Sequence, residues 1–177
     1  KMKILGSKVE PWNVTLVDTG LNSETGTRIK MIQKYISCRP FLLTYGDGIG
    51  NVNIKEAVMF HRKHKQLATI TAVQQIGRFG ALEVTGSYCV KSFIEKPKGD
   101  NLWISGGFFV LEPGIFEYLK NEPIIWEKKP LERLAKDGQL NAYKHKGFWK
   151  CMDTLRDKIE LEKMWSENNA PWKIWKV

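Results

Sequence analysis

The sequence predicts an α/β fold, in which a mixed, mostly parallel β-sheet is flanked by helices and accompanied by a small antiparallel β subdomain. Three observations predict it. Residues 41–73 have the pattern of a strand, a helix and a strand, and residues 80–94 have that of an antiparallel hairpin. The apolar run 41–44 ends directly in Tyr45-Gly46-Asp47-Gly48, which is typical of a buried strand that delivers one carboxylate into a glycine-lined turn.

The first predicted elements are a strand and a helix. The apolar run 14–17 predicts the strand, and a loop is expected over residues 18–26. Ile29, Ile32 and Ile36 then recur at the spacing of one helix face.

The second helix has a recognisable start. Asn53, with Glu56 three residues later, resembles a capping box, so the helix is predicted to begin there and to run to about Lys65. The strand-like runs 41–45 and 68–73 lie on either side of it. This makes a strand-helix-strand unit.

The second half of the chain begins with the hairpin and then returns to longer elements. Gly106 and Gly107 interrupt the apolar run 104–111, and glycine inside a strand usually marks a bulge or the close approach of another group. The aromatic tail 170–175 is expected to pack on the core or on a partner subunit. The other predicted elements are helices at 115–120, 130–137 and 154–165 and strands at 140–143 and 148–152.

The net charge of +9 indicates an anionic partner, which can be nucleic acid, a membrane surface or a small phosphorylated substrate. The lysines are spread along the chain, so most of them are expected on solvated surface. No stretch has the roughly 20 apolar residues of a membrane span, and the first residues lack the apolar core of a secretory signal. The three widely spaced cysteines, Cys38, Cys89 and Cys151, are typical of reduced thiols in the cytoplasm, which is the expected location.

Two aspartates follow directly on strand-like runs. Asp47 follows the strand over 41–45, and Asp153 follows the run 148–152 and precedes a helix. Each also has an ordinary interpretation, as a turn residue for Asp47 and as a helix N-cap for Asp153. If the fold brings them together, two strand-end carboxylates can hold one hard cation against phosphate oxygens.

Glu95-Lys96-Pro97 lies at the exit of the hairpin. A lysine there can neutralise a phosphate monoester and a glutamate can accept hydrogen bonds from vicinal hydroxyls, but an exposed ion pair explains the segment equally well. Arg28, near the start of its helix, either binds an anion or lies on the surface.

The histidines predict no chemistry. His61 and His64 lie three apart on a helix without a further ligand beside them, so a partly exposed helix face is expected. His145 lies between two lysines and is expected to be solvated.

Six segments, taken in order, share a pattern with one known family. They are Glu10 to Gly20, Thr44 to Gly48, Gly77 to Leu82, Phe93 to Asp100, Gly106 to Val110 and Met152 to Asp157. Together they resemble the glucose-1-phosphate cytidylyltransferase family. The Gly-Asp turn and Glu-Lys-Pro are shared by sugar nucleotidylyltransferases generally, whereas the first, third and last segments are specific to the cytidylyltransferase branch. The resemblance covers nearly the whole chain and implies a Rossmann-like fold of the nucleotide-diphospho-sugar transferase type.

The resemblance also implies a reaction. Glucose 1-phosphate would attack the α-phosphate of CTP in line, releasing pyrophosphate and giving CDP-glucose for CDP-sugar biosynthesis, with Mg²⁺ as the cofactor. Catalysis of this kind consists mainly of positioning and charge neutralisation. The implied partners are CTP, glucose 1-phosphate and further copies of the chain in a homo-oligomer, with no nucleic acid and no membrane.

Position by position, the resemblance implies three groups of residues. The catalytic group is Asp47, Lys96 and Asp153, of which Asp47 and Asp153 would bind the metal. The nucleotide-binding positions are Ser23, Gly26, Arg28 and Gly46. The sugar-phosphate-binding positions are Glu95, Lys96 and Gly107.

The chain departs from the family in one respect. The family's glycine-rich loop ending in Gly-Thr-Arg, and the Pro-Lys-Pro lysine after it, have no counterpart before Glu10, and Gly26-Thr27-Arg28 lies at the start of a later helix. Residues 1–177 are therefore expected to be the C-terminal two-thirds of one nucleotidyltransferase domain. The open alternatives are uridylyl or thymidylyl transfer, an incomplete and inactive copy, a basic nucleic-acid-binding domain and a non-catalytic interaction protein.

Overall fold

A computed structural model describes residues 12–74, 81–86, 89–94, 102–120 and 123–175. These residues contain eight strands and four α-helices. The strands are β1 (Phe41–Thr44), β2 (Gly48–Gly50), β3 (Ala68–Val73), β4 (Ala81–Val84), β5 (Val90–Ile94), β6 (Ile104–Leu111), β7 (Leu140–Lys144) and β8 (Trp149–Cys151). The helices are α1 (Thr25–Met31), α2 (Ile54–His64), α3 (Lys129–Lys136) and α4 (Leu155–Ser166), with short 3-10 helices at Gln33–Tyr35 and Pro113–Tyr118.

The main sheet has the strand order β1-β6-β3-β7. β3 and β7 are parallel, and β6 is antiparallel to β1 and to β3. β1, β3 and β7 therefore point the same way, which confirms the mixed sheet, and two of the three pairings within it are antiparallel. Helix α2 lies between β1 and β3 along the chain, as the strand-helix-strand unit requires, and β4 and β5 form the predicted antiparallel hairpin.

The core lies where β3 and β6 meet the helices. Ala68 and Leu111 are register partners and are completely buried. Trp126, Ile115 and Leu134 join the same apolar cluster and are also completely buried. β3 is buried along almost its whole length, as expected for a central strand that is covered on both faces.

Helix α2 begins as the sequence predicts. The side chain of Asn53 accepts a hydrogen bond from the backbone N–H of Glu56, and the helix ends with Lys65 at its C-cap. None of the helices within the described ranges is long and apolar enough to cross a membrane.

Two elements near the start differ from the prediction. The run 14–17 is not a strand, because no described strand pairs with it, and Val14 and Leu16 remain 72% and 78% exposed. The helix predicted from the isoleucine spacing is shorter than expected, because α1 ends at Met31 and a 3-10 turn follows it. A spacing of three residues between isoleucines suits a 3-10 turn as well as an α-helix. Ile29 and Ile36 still pack on the core.

Three smaller predictions are also corrected or confirmed. The helix predicted over 115–120 is the 3-10 helix Pro113–Tyr118, with proline at its start. His61, expected on a partly exposed helix face, and His145, expected to be solvated, are both buried. The aromatic tail does pack on the chain, since the Trp172 ring lies 5.4 Å from the Phe148 ring, centroid to centroid.

Candidate active site

The two-stranded β2–β8 ribbon brings Asp47 and Asp153 together. β2 and β8 are antiparallel, with Gly48 opposite Cys151, and the N–H of Met152 donates to the carbonyl of Asp47 over 2.9 Å. One carboxylate oxygen of each aspartate and the Sγ of Cys151 all lie within 4.8 Å of one another. Both aspartates are exposed, so a solute can reach them. The ribbon therefore pairs the two carboxylates that the sequence placed at strand ends.

Asp153 is not the N-cap of α4. Thr154 is the cap, because its Oγ1 accepts from the backbone N–H of Asp157 over 3.2 Å, while the Asp157 carboxylate accepts from the Thr154 N–H over 3.0 Å. This reciprocal capping box satisfies the helix start. The Asp153 carboxylate instead accepts a hydrogen bond from the thiol of Cys151, over 3.0 Å.

The charges of the cluster favour a cation. Burial raises the pKa of the Cys151 thiol to about 12, with further contributions from its hydrogen bond to Asp153 and from the charges of Asp47 and Asp153. The thiol is therefore protonated at neutral pH, and two adjacent carboxylates form a negative site. Carboxylate oxygens are the ligands that Mg²⁺ prefers, so the residues present fit a hard divalent cation.

The turn that carries Asp47 is held by Tyr45. The Tyr45 hydroxyl donates to Glu127, its N–H donates to the carbonyl of Gly107 over 3.3 Å, and its ring meets that of Phe109 edge to face. Burial, followed by the bond to Glu127, raises the pKa of Tyr45, so the hydroxyl stays protonated and keeps donating. Next to it, a Cβ on Gly46 would meet no atom within 4 Å, so a ligand can approach the backbone there.

The glycine pair in β6 marks both a bulge and a close approach, as predicted. The register between β3 and β6 shifts between Ile70 and Ala72. Gly107 has φ +76°, and a Cβ there would lie 2.8 Å from the Tyr45 ring. The group that approaches this glycine is thus a side chain of the protein itself.

Arg28 and Ser23 belong to one loop. The Arg28 guanidinium donates to the Thr19 hydroxyl over 2.6 Å and to the Leu21 carbonyl over 3.0 Å, and the Ser23 hydroxyl donates to the Thr19 carbonyl. Arg28 therefore fixes the loop that leads into α1. Ser23 lines an open polar depression, together with Asn22, Glu24, Thr27 and Pro123.

Gly26 is a packing contact. A Cβ there would lie 2.5 Å from the Ile124 side chain, and the adjacent Thr27 N–H donates to the Ile124 carbonyl over 3.1 Å. Beside it, the Thr25 hydroxyl donates to Glu127 over 2.7 Å. Because Glu127 also accepts from Tyr45, it connects the start of α1 with the Asp47 turn.

The sequence did not single out Cys151 or Glu127 as site residues. Cys151 precedes Asp153 by two, so both side chains lie on one face if the strand continues, and this spacing was an available signal. Glu127 had no local sequence signal, since its hydrogen-bond partners lie about 80 and 100 residues away in the chain. The predicted sugar-phosphate residues Glu95 and Lys96 lie outside the described residues.

Comparisons with known proteins identify the family. The family model described as "Nucleotidyl transferase" matches residues 16–165. Glucose-1-phosphate cytidylyltransferase of Salmonella typhimurium is 49% identical over 176 residues, which cover 99% of this chain and 68% of the relative. A Bacillus subtilis protein named probable glucose-1-phosphate cytidylyltransferase is 40% identical, with the same coverage. The chain thus spans about two thirds of the length of these relatives.

A solved structure shows the same fold. UDP-glucose pyrophosphorylase in complex with UDP-glucose has a TM-score of 0.62 and 18% identity, over 86% of this chain and 65% of that one. Nucleotidyl transferases of this kind generally use a divalent metal. Identity of 49% along almost the entire chain, together with the family model over residues 16–165, places the chain in the nucleotidyl transferase family, in its glucose-1-phosphate cytidylyltransferase branch.

Proposed function

We propose that this protein transfers the cytidylyl group of CTP to glucose 1-phosphate, with release of pyrophosphate and formation of CDP-glucose. The observation that carries the proposal is the Asp47 and Asp153 pair, assembled by the β2–β8 ribbon in a chain 49% identical to a cytidylyltransferase. Two exposed carboxylates beside an open backbone suit a reaction at a triphosphate.

In this proposal Asp47 and Asp153 hold Mg²⁺. When bound, the ion would neutralise charge on the phosphate oxygens. Gly46 leaves room beside the turn for the nucleotide, and Tyr45 holds the turn that leads to Asp47. The site requires no covalent enzyme intermediate, since positioning and charge neutralisation suffice for in-line transfer.

The remaining predicted residues are assigned by the resemblance. Ser23 would contact the nucleotide from the polar depression, while Gly26 and Arg28 would shape that side by fixing α1 and the loop before it. Glu95, Lys96 and Gly107 would line the sugar phosphate.

Pyrophosphate release tests the proposal. The chain is given glucose 1-phosphate and Mg²⁺ with CTP, UTP or dTTP in separate reactions, and release with CTP alone is the expected result. Release with UTP or dTTP instead would favour the uridylyl or thymidylyl alternative. No release with any nucleotide would contradict the proposed activity for this chain.

Each metal carboxylate has its own test in the same assay. Asp47→Asn and Asp153→Asn should each lower turnover by about 100-fold or more, since a lost ligand or orienting group typically changes activity on that scale. Glu162→Gln, an exposed acid on α4, is the matched control and should leave turnover unchanged. Full turnover in either aspartate variant would remove that residue from the mechanism.

We also propose that the protein is a cytoplasmic homo-oligomer. Trp165, Ile174 and Trp175 are 48%, 72% and 53% exposed, and the two tryptophan rings lie 6.2 Å apart, so an apolar patch faces solvent, which supports burial against another copy. Free Cys38, Cys89 and Cys151 support a reducing compartment. Sedimentation of the chain as a monomer at micromolar concentration would contradict the oligomer.

A further inference from the structure

Cys151 lies inside the carboxylate cluster, although hard cations bind sulfur ligands weakly. Its Sγ is 3.0 Å from an Asp153 carboxylate oxygen and belongs to the same group of ligand atoms as Asp47. Mg²⁺ selects oxygen donors, whereas Zn²⁺ and Cd²⁺ bind thiolate strongly. The cluster thus contains donors for two different classes of cation.

We infer that Cys151 determines which divalent cation occupies this site, so that Asp47, Cys151 and Asp153 together bind a thiophilic ion in competition with Mg²⁺. The inference rests on the proposed function in one respect, namely that Asp47 and Asp153 share a cation. It goes beyond that function because it assigns a third ligand and a second class of ion.

The geometry is close to that of a three-donor site. In zinc sites the metal lies about 2.3 Å from sulfur and about 2.0–2.2 Å from oxygen, so neighbouring ligand atoms are roughly 3–4 Å apart. The three ligand atoms here lie within 4.8 Å of one another, and the short Cys151–Asp153 contact already meets the requirement. Small side-chain rotations close the site, because the β2–β8 ladder fixes the backbone on both sides.

Binding of a thiophilic ion balances without a redox step. The bond between the Cys151 sulfur and its proton breaks, the proton passes to the buffer, and a bond from sulfur to the metal forms. One proton is released for each ion bound. Asp153 exchanges its hydrogen bond from the thiol for a bond to the metal, so that no carboxylate loses a partner.

The other two cysteines provide the background for a test. Cys38 and Cys89 are exposed free thiols outside the cluster. In a Cys38→Ser and Cys89→Ser background, Cys151 is the one remaining thiol of the chain. Any sulfur-to-metal signal then arises from Cys151.

Ultraviolet difference absorbance with Cd²⁺ measures the site directly. In this background the thiolate-to-cadmium charge-transfer band is expected to saturate at one Cd²⁺ per chain and to disappear in Cys151→Ser. Asp47→Asn and Asp153→Asn should each weaken Cd²⁺ binding by about tenfold or more, and excess Mg²⁺ should raise the apparent Kd. Glu162→Gln is the matched control and should change nothing.

Three results would overturn the inference. They are the absence of a band, a band that survives Asp47→Asn and Asp153→Asn at unchanged affinity, and a band that excess Mg²⁺ does not weaken. The titration needs no turnover, so an inactive chain with a Mg²⁺-sensitive band still upholds the inference. An active chain without the band refutes it and leaves the proposed function intact.

Discussion

At Gly107 the backbone has φ +76°, and the ring of Tyr45 occupies the space in which a side chain would stand. The same Tyr45 fixes the turn before Asp47 through its bonds to Glu127 and to the Gly107 carbonyl. The glycine is thus part of the support of the site even though it lies on another strand. A substitution there strains the backbone and displaces the tyrosine at once.

Gly107→Ala should lower the free energy of unfolding by about 2 kcal/mol or more, since the left-handed conformation and the contact with Tyr45 both oppose a Cβ. Urea denaturation measures it. Gly86→Ala is the control, because a Cβ there meets no atom within 4 Å, and it should stay within about 0.5 kcal/mol of the parent. Equal stability of the two variants would contradict the account of Gly107.

Among the elements, α4 determines whether the Asp153 carboxylate is available to the site, because the helix has its own N-cap. Thr154 and Asp157 cap the helix reciprocally, and the Asp157 pKa is lowered chiefly by its bond from the Thr154 hydroxyl. Asp153 therefore points at Asp47 and Cys151 instead of at the helix start.

Thr154→Ala should destabilise the protein by about 1 kcal/mol, the usual effect of losing an N-cap. Thermal or urea unfolding of Asp153→Asn, measured alongside, should show a smaller loss, because Asp153 does not cap the helix. If Asp153→Asn were the more destabilising of the two, Asp153 would be the cap after all.

A second element-scale feature is a directed hydrogen-bond chain between α2 and the sheet. The Gln66 N–H donates to His64 Nδ1 over 3.1 Å, so a neutral His64 carries its proton on Nε2 and donates to the Thr69 hydroxyl. Thr69 then donates to His61 Nδ1, and His61 Nε2 donates to Glu112. His64 must be neutral for every bond to form, because its Nδ1 is an acceptor, and a neutral His61 completes the chain by accepting the Thr69 proton at Nδ1.

Burial lowers the pKa of both histidines. For His61 the effect of burial outweighs the Glu112 carboxylate, which raises the pKa, and the charge of Arg62 lowers the His61 pKa further. As the pH falls, the histidines of the unfolded state bind protons before those of the folded state. The contribution to stability is therefore complete above about pH 6.5, and it decreases as the pH falls from there to the lower pKa values of the folded state. Urea unfolding between about pH 7.5 and pH 5.5 should show this loss. The double variant His61→Gln and His64→Gln should show a smaller pH dependence, and an unchanged one would contradict the assignment.

The elements that the sequence predicted correctly are those with local signals. Asn53 and Glu56 fixed the start of α2, and the apolar runs fixed β1, β3 and β6. The strand predicted over residues 14–17 was wrong, because a strand requires a pairing partner and no local sequence pattern reveals one. The capping box at Thr154 has its own local signal, Asp157 three residues later, but the adjacent Asp153 has the same capping chemistry and concealed it.

At the scale of the whole molecule, the site joins segments that are distant in sequence. Glu127 accepts from Thr25 at the start of α1 and from Tyr45 at the Asp47 turn, and the β2–β8 ribbon adds Asp153. The sequence predicted both aspartates from their strand ends and from a family resemblance. It did not predict Glu127, whose role follows from tertiary contacts alone, or Cys151, whose spacing of two residues from Asp153 was the available local signal.

The central claim is that Asp47 and Asp153 act as one cation site. Electron paramagnetic resonance of Mn²⁺, a hard divalent ion that substitutes for Mg²⁺ at oxygen ligands, counts bound ions without requiring turnover. We expect one Mn²⁺ per chain, and Asp47→Asn, Asp153→Asn and the double variant should weaken binding to similar extents because neither carboxylate suffices alone. Mn²⁺ binding that is unchanged in both single variants, and equal to that of Glu162→Gln, would contradict the claim.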